Sequence, residues 1–384
     1  MGVAIDGGAV PERRGGGSAA VRSLEPHSHP SRRGSERPGR YPAPMASTAK
    51  RRWSKELQTT IDGIGISESG PILVHGYEEP PGGKWIDDVI PGKLGALDRT
   101  SGEPLWMAPC EVGYGRGFGV GFGAQGQVLV LGPSNHGHRV VRMALETGEL
   151  LDAASIAVFD QAEFGPDRVV CCSPQRVFAI DSGSLVESWE YAREGERYHQ
   201  AVLLGDRVLV SFSARNGGQG VLALDAATGS FAEILLPALL PVIHGLVASG
   251  GVAVLLTESL DKVLEGAAAS DLMRSVALHA GGGLRDTLSL LAIAPRGSST
   301  SEPRWIHVLE TQDHDELPEA SVSADSGKLY LERGNQLDAL DALSGRPLGA
   351  WTVPGLDERV DWRVAAGAGL LAEEERVSVF ELLA

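Results

Sequence analysis

One short phrase recurs along the chain and limits the folds open to it. Residues 94–106 read Leu-Gly-Ala-Leu-Asp-Arg-Thr-Ser-Gly-Glu-Pro-Leu-Trp, so that Asp98 is followed by Ser101, Gly102 and Trp106. The core of the phrase, Asp-x-x-Ser/Thr-Gly, returns at Asp225 to Gly229 and at Asp341 to Gly345. A further copy at Asp181 keeps Trp189 eight residues on but has Leu185 in the glycine position. Fainter copies end at Ala144, Ala294 and Glu381. Each copy reads as a strand running into a tight turn. The aspartate can accept backbone N–H groups, Ser/Thr supports the turn, and glycine takes the positive-φ position before a new strand begins. The marked positions lie 37 to 69 residues apart and average about 47, the length of one four-stranded propeller blade. Strand-like runs precede the marks, as at Gln127–Leu131, Arg168–Cys172, Arg207–Phe212 and Lys328–Leu331. The expected fold is all-β, a seven-bladed propeller of four-stranded blades, with eight blades the alternative count.

The last blade, from about residue 353, shows only three strands. The run at 52–57 has no blade of its own, and we expect it to pair with the last blade and close the ring, so that residues 52–384 form one propeller. The long 225-to-294 step predicts a small helical insertion at 257–278, where Leu260, Val263, Leu264 and Ala267 recur at helical spacing.

Composition sharpens the outline. The net charge is −16, and residues 1–50 contain eight Lys/Arg against four Asp/Glu, which leaves −20 for the rest. Residues 1–51, rich in Gly, Pro, Ser and Arg, are expected to be a disordered basic leader. They contain no apolar run suited to a secretory signal, and no long apolar stretch suggests a spanning helix. Met45 reads as a natural start. The acidic balance argues against nucleic acid and against an anionic membrane as partners. A cytoplasmic, monomeric protein is expected.

The phrase resembles the tryptophan-docking repeat of the quinoprotein-like (PQQ-type) β-propellers over residues 52–384. It does so most closely at 94–106 and 221–229. The resemblance implies that Trp106, Trp189, Trp305 and Trp351 pack between blades. It implies the fold with good specificity and the function with little, because the family holds both quinoprotein dehydrogenases and a cofactor-free outer-membrane assembly propeller. Dehydrogenases of this type carry a vicinal disulfide against the quinone, which draws attention to Cys171 and Cys172. Here both fall in a strand, where neighbours point to opposite faces, and buried thiols are expected instead.

The remaining chemistry is sparse. The glycine-alternating run from Gly113 to Gly123 lacks the lysine and helix of a phosphate loop and reads as backbone close approach near the propeller axis. His136 and His138, and the Asp313–Glu316 cluster, lack metal-site spacing. No catalytic, cofactor or metal residue is assigned. The loop from 76 to 90 sets Tyr77, Trp85 and Ile86 among polar residues and is the candidate partner-contact loop. The leading expectation is a non-catalytic protein-binding or scaffold module. The alternatives are a quinoprotein-type oxidoreductase or other enzyme with a site in the central channel, and a small-ligand sensor.

Overall fold

The structure is a computed structural model, and it describes residues 46–77, 92–113, 117–124, 126–240, 242–258, 288–294, 302–309 and 320–382. The expected insertion helix, Trp85, Ile86, residues 313–316 and nearly all of the expected leader lie outside these. Thr257 and Glu258, placed in the insertion by sequence, belong to a strand.

The described residues form a seven-bladed β-propeller of four-stranded blades. Blade 1 comprises β3 (Thr60–Gly65), β4 (Ile72–Tyr77), β5 (Gly92–Leu97) and β6 (Pro104–Cys110). Blade 2 comprises β7 (Gly119–Phe122), β8 (Gln127–Ser134), β9 (Gly137–Ala144) and β10 (Leu150–Ser155). Blade 3 follows with β11 (Gln161–Phe164), β12 (Arg168–Cys172), β13 (Val177–Asp181) and β14 (Glu187–Tyr191). Blade 4 holds β15 (Arg197–Leu204), β16 (Arg207–Ser213), β17 (Gln219–Asp225) and β18 (Phe231–Leu240). Blade 5 holds β19 (Ile243–Ser249), β20 (Val252–Glu258), β21 (Leu288–Ala294) and β22 (Glu302–Leu309). Blade 6 holds β23 (Ser321–Asp325), β24 (Lys328–Arg333), β25 (Gln336–Asp341) and β26 (Pro347–Thr352). Blade 7 contributes β27 (Asp361–Ala365), β28 (Ala368–Ala372) and β29 (Arg376–Glu381).

The fourth strand of blade 7 comes from the other end of the described chain. Strand β2 (Lys50–Glu56) pairs antiparallel with β29. Just before it, β1 (Ser47–Thr48) lies parallel to β26 and makes blade 6 five-stranded. The Ala49 N–H then donates to the Thr352 carbonyl at 2.9 Å. Residues 47–51 are therefore strand or strand-linking, and the fold begins earlier than the boundary at 52 drawn from sequence.

Seven apolar clusters fill the seven blade junctions. Blades are buried on both faces, so their middle strands read as unbroken apolar runs rather than alternating ones. Strand β12 shows the underlying alternation. Val169 and Cys171 enter the core toward blade 2, while Val170 and Cys172 enter the core toward blade 4. Junction 7–1 joins Leu370 and Val379 to Ile61, Ile64 and Val74.

All seven marks of the repeat fall at the end of a third strand. These third-to-fourth turns share one side of the ring, the turn face, with the first-to-second hairpins, because strand direction alternates through each blade.

Candidate functional site

The repeat residues build the turn face. Asp98 Oδ1 accepts the Ser101 N–H at 2.7 Å and the Ser101 hydroxyl at 2.8 Å. Asp225 does the same with Thr228, and Asp181 and Asp341 with Ser184 and Ser344. These bonds hold the carboxyls of Asp98, Asp181, Asp225 and Asp341 below their ordinary range. The turn closes with the N–H of Gly102, Leu185, Gly229 or Gly345 donating to the aspartate carbonyl. All four residues have positive φ.

Four turn glycines, Gly102, Gly148, Gly229 and Gly345, each face a tryptophan from the preceding blade. Trp106 covers Gly148, Trp189 covers Gly229 and Trp305 covers Gly345. Their indole N–H groups donate to the Leu145, Ala226 and Ala342 carbonyls at 2.7, 3.0 and 2.9 Å. A fourth case escaped the sequence reading. Trp53 on β2 covers Gly102 and donates to the Arg99 carbonyl at 3.0 Å. Its place in the repeat shows only after β2 is assigned to blade 7. Trp351 packs in the junction of blades 6 and 7 with Tyr330, Trp362 and Phe380.

Junction 2–3 is built differently. Asp152 occupies the tryptophan position, and Arg142 bonds to it at 3.3 Å while donating to the Ser182 and Gly183 carbonyls. Without an indole above it, the glycine position admits Leu185, which is buried at φ 57°.

The seven innermost strands enclose a channel cavity of about 580 Å³. An innermost strand has one unpaired edge, and its backbone groups need partners. Side chains of neighbouring blades supply several. Gln161 accepts the Ala201 N–H at 3.2 Å, Gln200 the Leu246 N–H at 2.8 Å, and Asp361 the Ile64 N–H at 3.1 Å. Glu163 receives the Leu203 N–H, yet burial pushes its carboxyl up to about 7 despite that bond and the attraction of Arg363. The glycine run is explained here, because the Phe164 ring of blade 3 lies against Gly119 and Gly121 of blade 2.

The other candidates hold structural positions. His75 is buried, with Nδ1 2.5 Å from Asp62 Oδ1 and Nε2 3.0 Å from the Val112 carbonyl, and Phe118 stacks at 4.4 Å. A carbonyl only accepts, so Nε2 carries a proton and is no lone-pair base. Burial opposes charge on the ring, but the hydrogen bonds with Asp62 and Cys110 and the Asp62 carboxylate outweigh it and raise the pKa to about 9. Burial raises both Cys171 and Cys172, the latter to about 12, so neither is a ready thiolate. His138 packs edge-on to Phe159, and His136 sits exposed in the β8–β9 turn. Among the described residues no group of three or more His, Cys, Asp or Glu could hold a metal ion. Tyr77 ends β4, half-buried, while Trp85 and Ile86 lie outside the described residues.

A family model described as outer membrane protein assembly factor BamB matches residues 91–234, from blade 1 into blade 4. Fold and match together support a PQQ-type β-propeller. The match spans the two repeat copies in which the Asp-x-x-Ser/Thr-Gly turn is complete before residue 234. The propeller is also similar to the WD40 domain of Neurospora crassa Pan2. That likeness has a TM-score of 0.53 and 12% identity, and covers 88% of this chain and 98% of that one. At that identity it speaks for the fold alone. Matches extend to 1178 chains of known structure, so the fold itself does not narrow the function. No curated protein matches the chain.

Proposed function

We propose that this PQQ-type propeller is a non-catalytic protein-binding module that meets its partner along the rim of the turn face. One observation carries the reading. Five blades expose an apolar side chain within three residues of the same turn position: Leu105, Leu151, Val186, Phe231 and Leu348. A single exposed leucine is ordinary, but a repeated apolar position around one rim is a contact surface in the making. Of the channel polar groups, Gln161, Gln200 and Asp361 already serve blade-to-blade bonds, and His75 is held within blade 1. The matched family's description as an assembly factor supports the same reading. The acidic propeller favours a neutral or basic partner surface.

The test is affinity capture followed by crosslinking, comparing the native protein with a Leu105→Asp/Phe231→Asp variant. Both residues are about half exposed, so the variant should melt like the parent. A partner held by the parent and lost by the variant is expected. Equal capture by both, or turnover of a small molecule by the purified protein, would sink the reading.

A further inference from the structure

Two opposite charges face the channel without pairing with each other. Glu163 stands on β11 in blade 3 and Arg363 on β27 in blade 7, and both line the 580 Å³ cavity. Gln161, Gln200 and Asp361 accept backbone N–H groups of the next blade, and Glu163 likewise accepts the Leu203 N–H, but Glu163 alone of these carries a charge that meets no cation at contact distance. The nearest contact of Arg363 with Asp361 is Nε to Oδ1 at 3.4 Å, and its side chain remains 58% exposed. Its terminal nitrogens make no hydrogen bond among the described residues. The cavity lies within the roughly 300–1,000 Å³ typical of small-molecule sites.

We propose that the channel binds a small zwitterion of the α-amino acid class, with its ammonium toward Glu163 and its carboxylate toward Arg363. The guanidinium offers two parallel N–H donors that match a carboxylate. The ammonium supplies the countercharge that the half-buried Glu163 carboxyl lacks at contact distance. A dication would meet Arg363, and a dianion would meet Glu163, so the pair selects a molecule carrying both signs.

Calorimetric titration of the full chain with the standard L-amino acids tests this, with agmatine and acetate as probes of one charge sign. At least one amino acid should bind saturably. Its affinity should fall at least about tenfold in Glu163→Gln and in Arg363→Met. Each variant is checked by its melting curve. Should Glu163→Gln fail to fold, the half-exposed Arg363→Met decides alone. The proposal is overturned if no amino acid binds below about 10 mM. It is equally overturned if folded variants bind as the parent does, or if agmatine or acetate binds as tightly as the amino acid.

Discussion

The indole of Trp189 lies so close over Gly229 that a β-carbon there would come within 2.5 Å of the ring. Glycine is thus required twice at this point, once by its φ of 68° and once by the ring. Gly229→Ala should lose about 1–2 kcal/mol to the left-handed backbone and about 1–3 kcal/mol to overpacking. Chemical denaturation should show a lowered midpoint with an unchanged slope. A midpoint equal to that of the parent would contradict the docking geometry.

Leu185 is the mirror case. It pays the left-handed backbone cost of about 1–2 kcal/mol and fills the space that no tryptophan covers. Leu185→Gly should relieve that strain yet remove a buried side chain, at a cost of about 2–5 kcal/mol. Net destabilisation is expected in a melting experiment, opposite to what backbone preference alone predicts.

Trp53 links the closing strand to blade 1. Trp53→Ala should strip the indole from Gly102 and its bond to the Arg99 carbonyl, while β2 keeps its pairing with β29. The ring should loosen at junction 7–1 first. Hydrogen exchange should speed up in β2, β29 and β3 more than in blades 3 to 5, and uniform acceleration would argue against a local role.

His75 makes stability depend on pH. Its folded pKa is raised from 6.5 to about 9, so the folded state holds the proton more tightly than the unfolded chain. That stabilisation is complete below about 6.5 and is lost as pH rises through about 9. The melting temperature should fall between pH 7 and 10. His75→Gln should be less stable near pH 6 and show a shallower decline over that range.

Much of this architecture was legible in the sequence because each turn is made by residues within four positions of one another. Asp98, Ser101 and Gly102 meet in the turn that their spacing specifies. The marks at 98, 144, 181, 225, 294, 341 and 381 each end a third strand, from which the blade count follows. Trp53 was not legible as a docking residue, because its turn partner Asp98 belongs to the next blade and its own third strand, β29, lies at the far end of the chain. Strand β1 is only two residues long and leaves no periodicity to read. Glu163 and Arg363 lie 200 residues apart and carry no motif. The departure of Leu185 from glycine was visible, but not Asp152 in the tryptophan position or the junction that the two complete with Arg142.

The sequence by itself determined the repeat, the turn chemistry and a propeller of seven or eight blades, since these rest on hydrogen bonds and strand patterns within a single blade. Only the tertiary structure decided how the ring closes, which tryptophan covers which glycine, and which charges face the channel. Those relationships join residues from different blades. They exist only once apolar burial at seven junctions has fixed the blades around a common axis.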